Sequence, residues 1–196
     1  MVLDIFKRSP RWSTKAALRR QADDLLSQAM QAARDPALYG AGATPDDFSG
    51  RFDVLTLIAS LVSLRLSDLG EPAAGLNQSF VNAVFKSFDD ALREDGVGDL
   101  TVPKKMQRLA EAFYGRAAAY RKALEAIETG DSEGRLELVS ALHRNVLRSD
   151  PSCERFAERL ADHCVAIRTT LAQVSLDDLC AGAIIWPSPV DREASV

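Results

Sequence analysis

The sequence is short of the residues that cross-link, metallate or embed a protein. Its three cysteines, Cys153, Cys164 and Cys180, cannot all pair with one another, so reduced thiols are the simple expectation. Histidine occurs only at 143 and 163. His163-Cys164 and Cys153 fall on one expected helix, but there is no Cys-x-x-Cys or His-x-x-x-His spacing, and zinc usually takes four ligands. Buried thiols and surface imidazoles are therefore expected, with no metal. Aromatics make up 7% of the chain and β-branched runs are scarce, which disfavours a sheet protein. No run approaches the roughly 18 apolar residues that span a bilayer. The first twenty residues lack the long apolar segment of a secretory signal.

Catalytic signatures are missing as well. There is no Gly-x-Ser-x-Gly and no P-loop lysine motif. Gly96-Val97-Gly98 lacks the third glycine and the preceding strand of a dinucleotide site. The adjacent carboxylates Asp23-Asp24, Asp46-Asp47, Asp89-Asp90 and Asp177-Asp178 point in different directions if helical, so they form neither a dyad nor a metal cage. No enzymatic activity and no cofactor are expected.

What is present is an alanine-, leucine-, arginine- and glutamate-rich chain of 196 residues, 46% hydrophobic and 27% charged, which favours one helical domain. The net charge is −4. It hides a basic start: Lys7, Arg8, Arg11, Lys15, Arg19 and Arg20 against Asp4 alone. We divide the chain into an arm over 1–12, a helical domain over 13–187 and a tail over 188–196. The arm mixes Leu3, Ile5, Phe6 and Trp12 with cations. Each cation is worth about 1 kcal/mol at an anionic leaflet, enough for transient contact only.

The fold expected is all-α, an irregular bundle of six to seven helices. Ser13 or Thr14 caps a first helix ending near Ala33, before Pro36. A loop follows to Gly50, in which Leu38 and Tyr39 fold back onto the core. Between Asp53 and Arg65 there is no charge, which marks a central helix buried on most sides. Arg51 and Asp53 border it and suggest an ion pair with other helices. Ser67 to Gly75 reads as a turn, and a third helix runs from Leu76 to Glu94. Gly96 is placed to stop that helix at positive φ. The next helix starts at Pro103, capped by Thr101 or Val102, with Met106, Leu109, Phe113, Ala117, Tyr120, Leu124 and Ile127 on one stripe. Lys104, Lys105, Arg108, Arg116, Arg121 and Lys122 lie mostly off it, as a solvated face or a basic docking surface. Gly115, mid-helix, costs about 1 kcal/mol relative to alanine and suggests a close approach. Asp131 or Ser132 caps a fifth helix with Leu136, Val139, Leu142 and Val146 inward. Asp150-Pro151 opens a sixth, and Ser175 caps a short turn.

The stretch from Leu92 to Arg116 also carries a resemblance. Leu92-Arg93-Glu94, Gly96-Val97-Gly98-Asp99-Leu100, Val102, Lys104-Lys105-Met106 and Ala110-Glu111-Ala112-Phe113-Tyr114-Gly115-Arg116, with Gly50-Arg51-Phe52-Asp53 upstream, resemble the ubiquinol–cytochrome c chaperone family. Leu179-Cys180-Ala181-Gly182 and Trp186-Pro187 are a fainter echo. The resemblance implies a non-enzymatic assembly factor that binds newly made cytochrome b during assembly of the respiratory bc1 complex. A small helical co-chaperone is a further implied partner, as for mitochondrial members. Partner-binding residues expected on this basis are Arg51, Phe52, Asp53, Gly96, Gly98, Asp99, Lys104, Lys105, Arg108, Phe113, Tyr114, Gly115, Arg116 and Tyr120. The short chain reads as a bacterial form in the cytoplasm, at or near the inner face of the membrane. The alternative is a peripheral membrane- or ribosome-binding adaptor acting through the basic arm; no DNA partner is expected.

Overall fold

The structure, a computed structural model, describes residues 15–189. The arm, the Ser13/Thr14 cap and most of the tail lie outside the described residues. Seven α-helices are present: α1 Lys15–Ala32, α2 Phe48–Asp68, α3 Glu71–Glu94, α4 Val102–Glu128, α5 Ser132–Asn145, α6 Glu154–Gln173 and α7 Leu176–Ala181. Two 3-10 turns, Pro36–Leu38 and Pro151–Cys153, join them. The described residues contain no strand and form an all-α single domain.

The uncharged run forms the axis. α2 packs on α1, α3, α4 and α6, and Val54, Leu57, Ile58, Leu61, Val62 and Leu66 are essentially inaccessible. Burial on every side is what an all-round apolar helix requires. Its buried Ser60 hydroxyl donates to Thr56 O at 2.7 Å, so this polar group enters the core with a partner. The start of α2 is fixed twice. Asp47 accepts from Gly50 N at 2.7 Å, and a Cβ at Gly50 would lie 2.0 Å from Pro45 O. Only glycine fits there. The preceding loop folds inward as expected: Leu38 and Tyr39 are buried, and the Tyr39 hydroxyl donates to Ala33 O at 2.5 Å.

The α3–α4 turn has the expected glycine stop. Gly96 takes φ 79°, Val97 N donates to Leu92 O and Gly96 N to Arg93 O, closing a Schellman-type end. Thr101 is the N-cap of α4, without a side-chain capping bond.

Three expectations are corrected. The turn between the second and third helices is not Ser67 to Gly75 but Leu69-Gly70, because α3 already begins at Glu71. Pro72 sits in its first turn, where no intrahelical N–H is needed. Gly75 is inside the helix, under Leu18 of α1; a Cβ there would lie 3.2 Å from Leu18 Cδ1. In α5 the inward face is Gly134, Leu138, Ala141 and Leu142, and Leu136 is 63% exposed. The bare Gly134 lets α5 settle against α4 backbone, which rotates the stripe away from Leu136. His163 is not a surface imidazole: it is buried, and burial lowers its pKa.

Candidate binding face on helices α2 to α4

The site is built where α4 crosses the start of α2. Arg116 Nη1 meets Asp53 Oδ1 at 2.6 Å, with both side chains largely buried. Burial raises the Asp53 carboxyl and the adjacent Arg116 charge pulls it back down. Removing water from a carboxylate is costly unless a cation replaces it. The Arg116 guanidinium also lies 5.9 Å from the Phe52 ring centroid. One turn on, Tyr120 is fully buried, and burial raises its phenol pKa.

Around this pair the aromatic rings connect. Phe52 stands 4.5 Å from Phe88, Phe88 lies 6.2 Å from Phe85, and Phe85 touches Phe113 at 5.4 Å and Tyr114 at 6.0 Å. These are tilted or edge-on contacts, the favoured geometry for ring pairs. The ladder runs from α2 across α3 to α4, and Tyr114 at its end is 56% exposed.

Each end of the ladder opens into a groove. The first, of about 220 Å³, lies against Phe48, Phe52, Leu55, Phe88 and Leu109, with Tyr39, Arg34 and Arg51 at its wall. Arg51 lies 5.4 Å over the Tyr39 ring and pairs with Asp46 at 2.8 Å. The Tyr39 hydroxyl is pushed up to about 12, by burial first, against the pull of Arg51. The second groove, of about 610 Å³, is bordered by Leu64, Val81, Phe113, Tyr114, Ala117 and Arg121.

Six of the residues expected from sequence thus come together at one crossing: Phe52, Asp53, Phe113, Tyr114, Arg116 and Tyr120. Asp53, Phe113 and Tyr120 are buried and act on the surface only through their neighbours. Arg51 joins at the first groove. Gly115 is exposed and a Cβ there meets nothing within 4 Å, so no part of the described chain makes the close approach expected of it. Gly96, Gly98, Asp99, Lys104, Lys105 and Arg108 line neither groove. Asp99 pairs with Arg93, which also holds Asp89 at 2.8 Å. Lys104, Lys105 and Arg108 are exposed. Sequence reasoning missed Phe48, Phe85, Phe88 and Arg34 as site residues. The available signal was aromatic clustering in an aromatic-poor chain: Phe48, Phe52, Phe85 and Phe88 recur at helical spacing on two consecutive helices.

Chemically, the face offers apolar and aromatic surface, a few guanidiniums and a buried ion pair. Among the described residues no group of three or more His, Cys, Asp or Glu side chains is placed to hold a metal. No helix among them is long and apolar enough to cross a membrane.

Comparison with known proteins gives two findings. The family described as ubiquinol-cytochrome C chaperone matches residues 41–186. Among solved structures, the crystal structure of the Cbp3 homolog from Brucella abortus is similar at 31% identity and TM-score 0.76, covering 88% of this chain and 92% of that one. A comparison with curated proteins gives no match. The family match spans α2 to α7 and includes the second groove and the whole aromatic ladder, while Met30, Ala33, Arg34 and Tyr39 of the first groove precede it, and on this match the chain belongs to the ubiquinol-cytochrome C chaperone family.

Proposed function

We propose that the protein is a non-enzymatic chaperone that binds newly synthesised cytochrome b and assists assembly of the bc1 complex, and that it does so through the α2–α3–α4 face. The observation that carries the reading is the aromatic ladder ending in exposed Tyr114. A client with apolar helices aggregates in water unless another surface covers them, and an aromatic face between grooves supplies such cover. The protein would work in the cytoplasm, close to the inner membrane surface where its client is inserted. The basic residues of the arm over 1–12 would add weak attraction to anionic lipid or ribosomal RNA.

Retention of a cytochrome b fragment by the purified protein tests this. Tyr114→Ala should weaken retention about tenfold, the scale of an interface hot spot, while lowering thermal stability only slightly through its lost contacts with Phe85 and Phe113. Tyr114 is the better probe than Arg116, because Arg116→Glu would set a second carboxylate beside buried Asp53. Full retention by a folded Tyr114→Ala variant would refute the assignment of this face.

A further inference from the structure

The first groove has a selectivity of its own. Its wall is apolar and aromatic, and among the described residues the only charged side chains in it are Arg34 and Arg51, with no carboxylate. At about 220 Å³ it falls below the roughly 300–1,000 Å³ of small-molecule sites. That space suits one large side chain. Phe48, 48% exposed at the first residue of α2, leaves an apolar lip in water beside it. Arg51 has a partner in Asp46, but that pair is solvent-exposed, with more than half of each side chain accessible, so it exchanges partners at little cost. Arg34 is exposed and makes no ion pair among the described residues.

We infer that the first groove recognises a polypeptide segment by inserting one large apolar or aromatic side chain, with a carboxylate about one helical turn away engaging Arg34 and Arg51. This rests on the client-binding reading and adds a sequence preference to it. The apolar anchor supplies contact area in a desolvated pocket. The guanidiniums supply the sign, since a planar fork favours carboxylate oxygens and a like charge brought to the same place is repelled. Residues four apart on a helix stand one above the other, so a Phe and a Glu at that spacing can meet the pocket and its rim together.

Fluorescence anisotropy with the full chain and two synthetic helical peptides tests the inference. Both carry one Phe in an Ala/Gln host; one has Glu four residues away and the other Lys. The Glu peptide should bind at least tenfold more tightly. Arg34→Glu, alone and with Arg51→Glu, should reverse the order, which general loss of structure would not do. Ala91→Trp, filling the groove from α3, should abolish binding of both peptides while the melting temperature holds. Equal binding of the two peptides, or an order unmoved by charge reversal, overturns the inference. So does a groove that takes decanoate but neither peptide. If Ala91→Trp still retains the cytochrome b fragment, the groove inference fails and the chaperone reading stands. If the unmodified protein retains no fragment, the chaperone reading itself fails.

Discussion

At the residue scale, two ion pairs with opposite thermodynamic character hold α2 in place. Asp53–Arg116 is inside, where burial works against the carboxylate. Cutting such a pair on one side leaves an uncompensated charge, so Arg116→Met should cost about 3 kcal/mol in urea unfolding. Replacing both groups, as Asp53→Leu with Arg116→Met, should recover much of the loss. Asp47 is the converse case, an exposed carboxylate paired with Arg148 at 2.6 Å. Its pKa is lowered to about 2, by Arg148 first and then by the Gly50 N–H. The native carboxyl therefore holds its proton more weakly than the unfolded one. Its contribution is complete above pH 4 or so, and is lost as pH falls through about 2. Asp47→Asn keeps an acceptor for the cap but not the charge, so the acid limb of the stability curve between those values should flatten. Part of this was legible in sequence. Arg51 and Asp53 stood out at the edge of an uncharged run, yet the partner of Asp53 proved to be Arg116, a residue 63 positions on. Arg51 went to Asp46. Spacing along a chain identifies charges that must be neutralised, but not which helix brings the neutralising group.

At the element scale, the glycines separate packing from binding. Gly134 faces α4 so closely that a Cβ would lie 2.7 Å from Ile127 N and 2.8 Å from Ala126 Cβ. Gly134→Ala should cost about 1–3 kcal/mol by overpacking, read as a drop in the urea midpoint. Gly115, also in a helix, has open space where a Cβ would go. Gly115→Ala should stabilise by up to about 1 kcal/mol through helix propensity alone. If a partner uses that space, the same variant should also weaken client retention, separating stability from function at one position. The plan of six to seven helices and most boundaries followed from caps, prolines and apolar periodicity. Leu136 and the start of α3 did not. Periodicity gives a stripe but not its rotation when a glycine sits on the packing face, and Pro72 and Gly75 read as loop residues until their helical neighbours are known.

For the whole molecule, the family was readable from the Gly96 turn and the Phe113-Tyr114-Gly115-Arg116 run, while the proposed binding face was readable only in part. The face depends on α3 laying Phe85 and Phe88 between rings of α2 and α4, a juxtaposition that sequence order conceals. The most direct measurement is site-specific photo-cross-linking to cytochrome b during its synthesis, with the reactive side chain at position 114 or at position 136. Both positions are exposed; 114 borders the second groove, and 136 lines neither of the two grooves on this face. Cytochrome b should be captured from 114 and not from 136. Equal capture from both positions, or capture from 136 alone, would contradict a client face on α2 to α4.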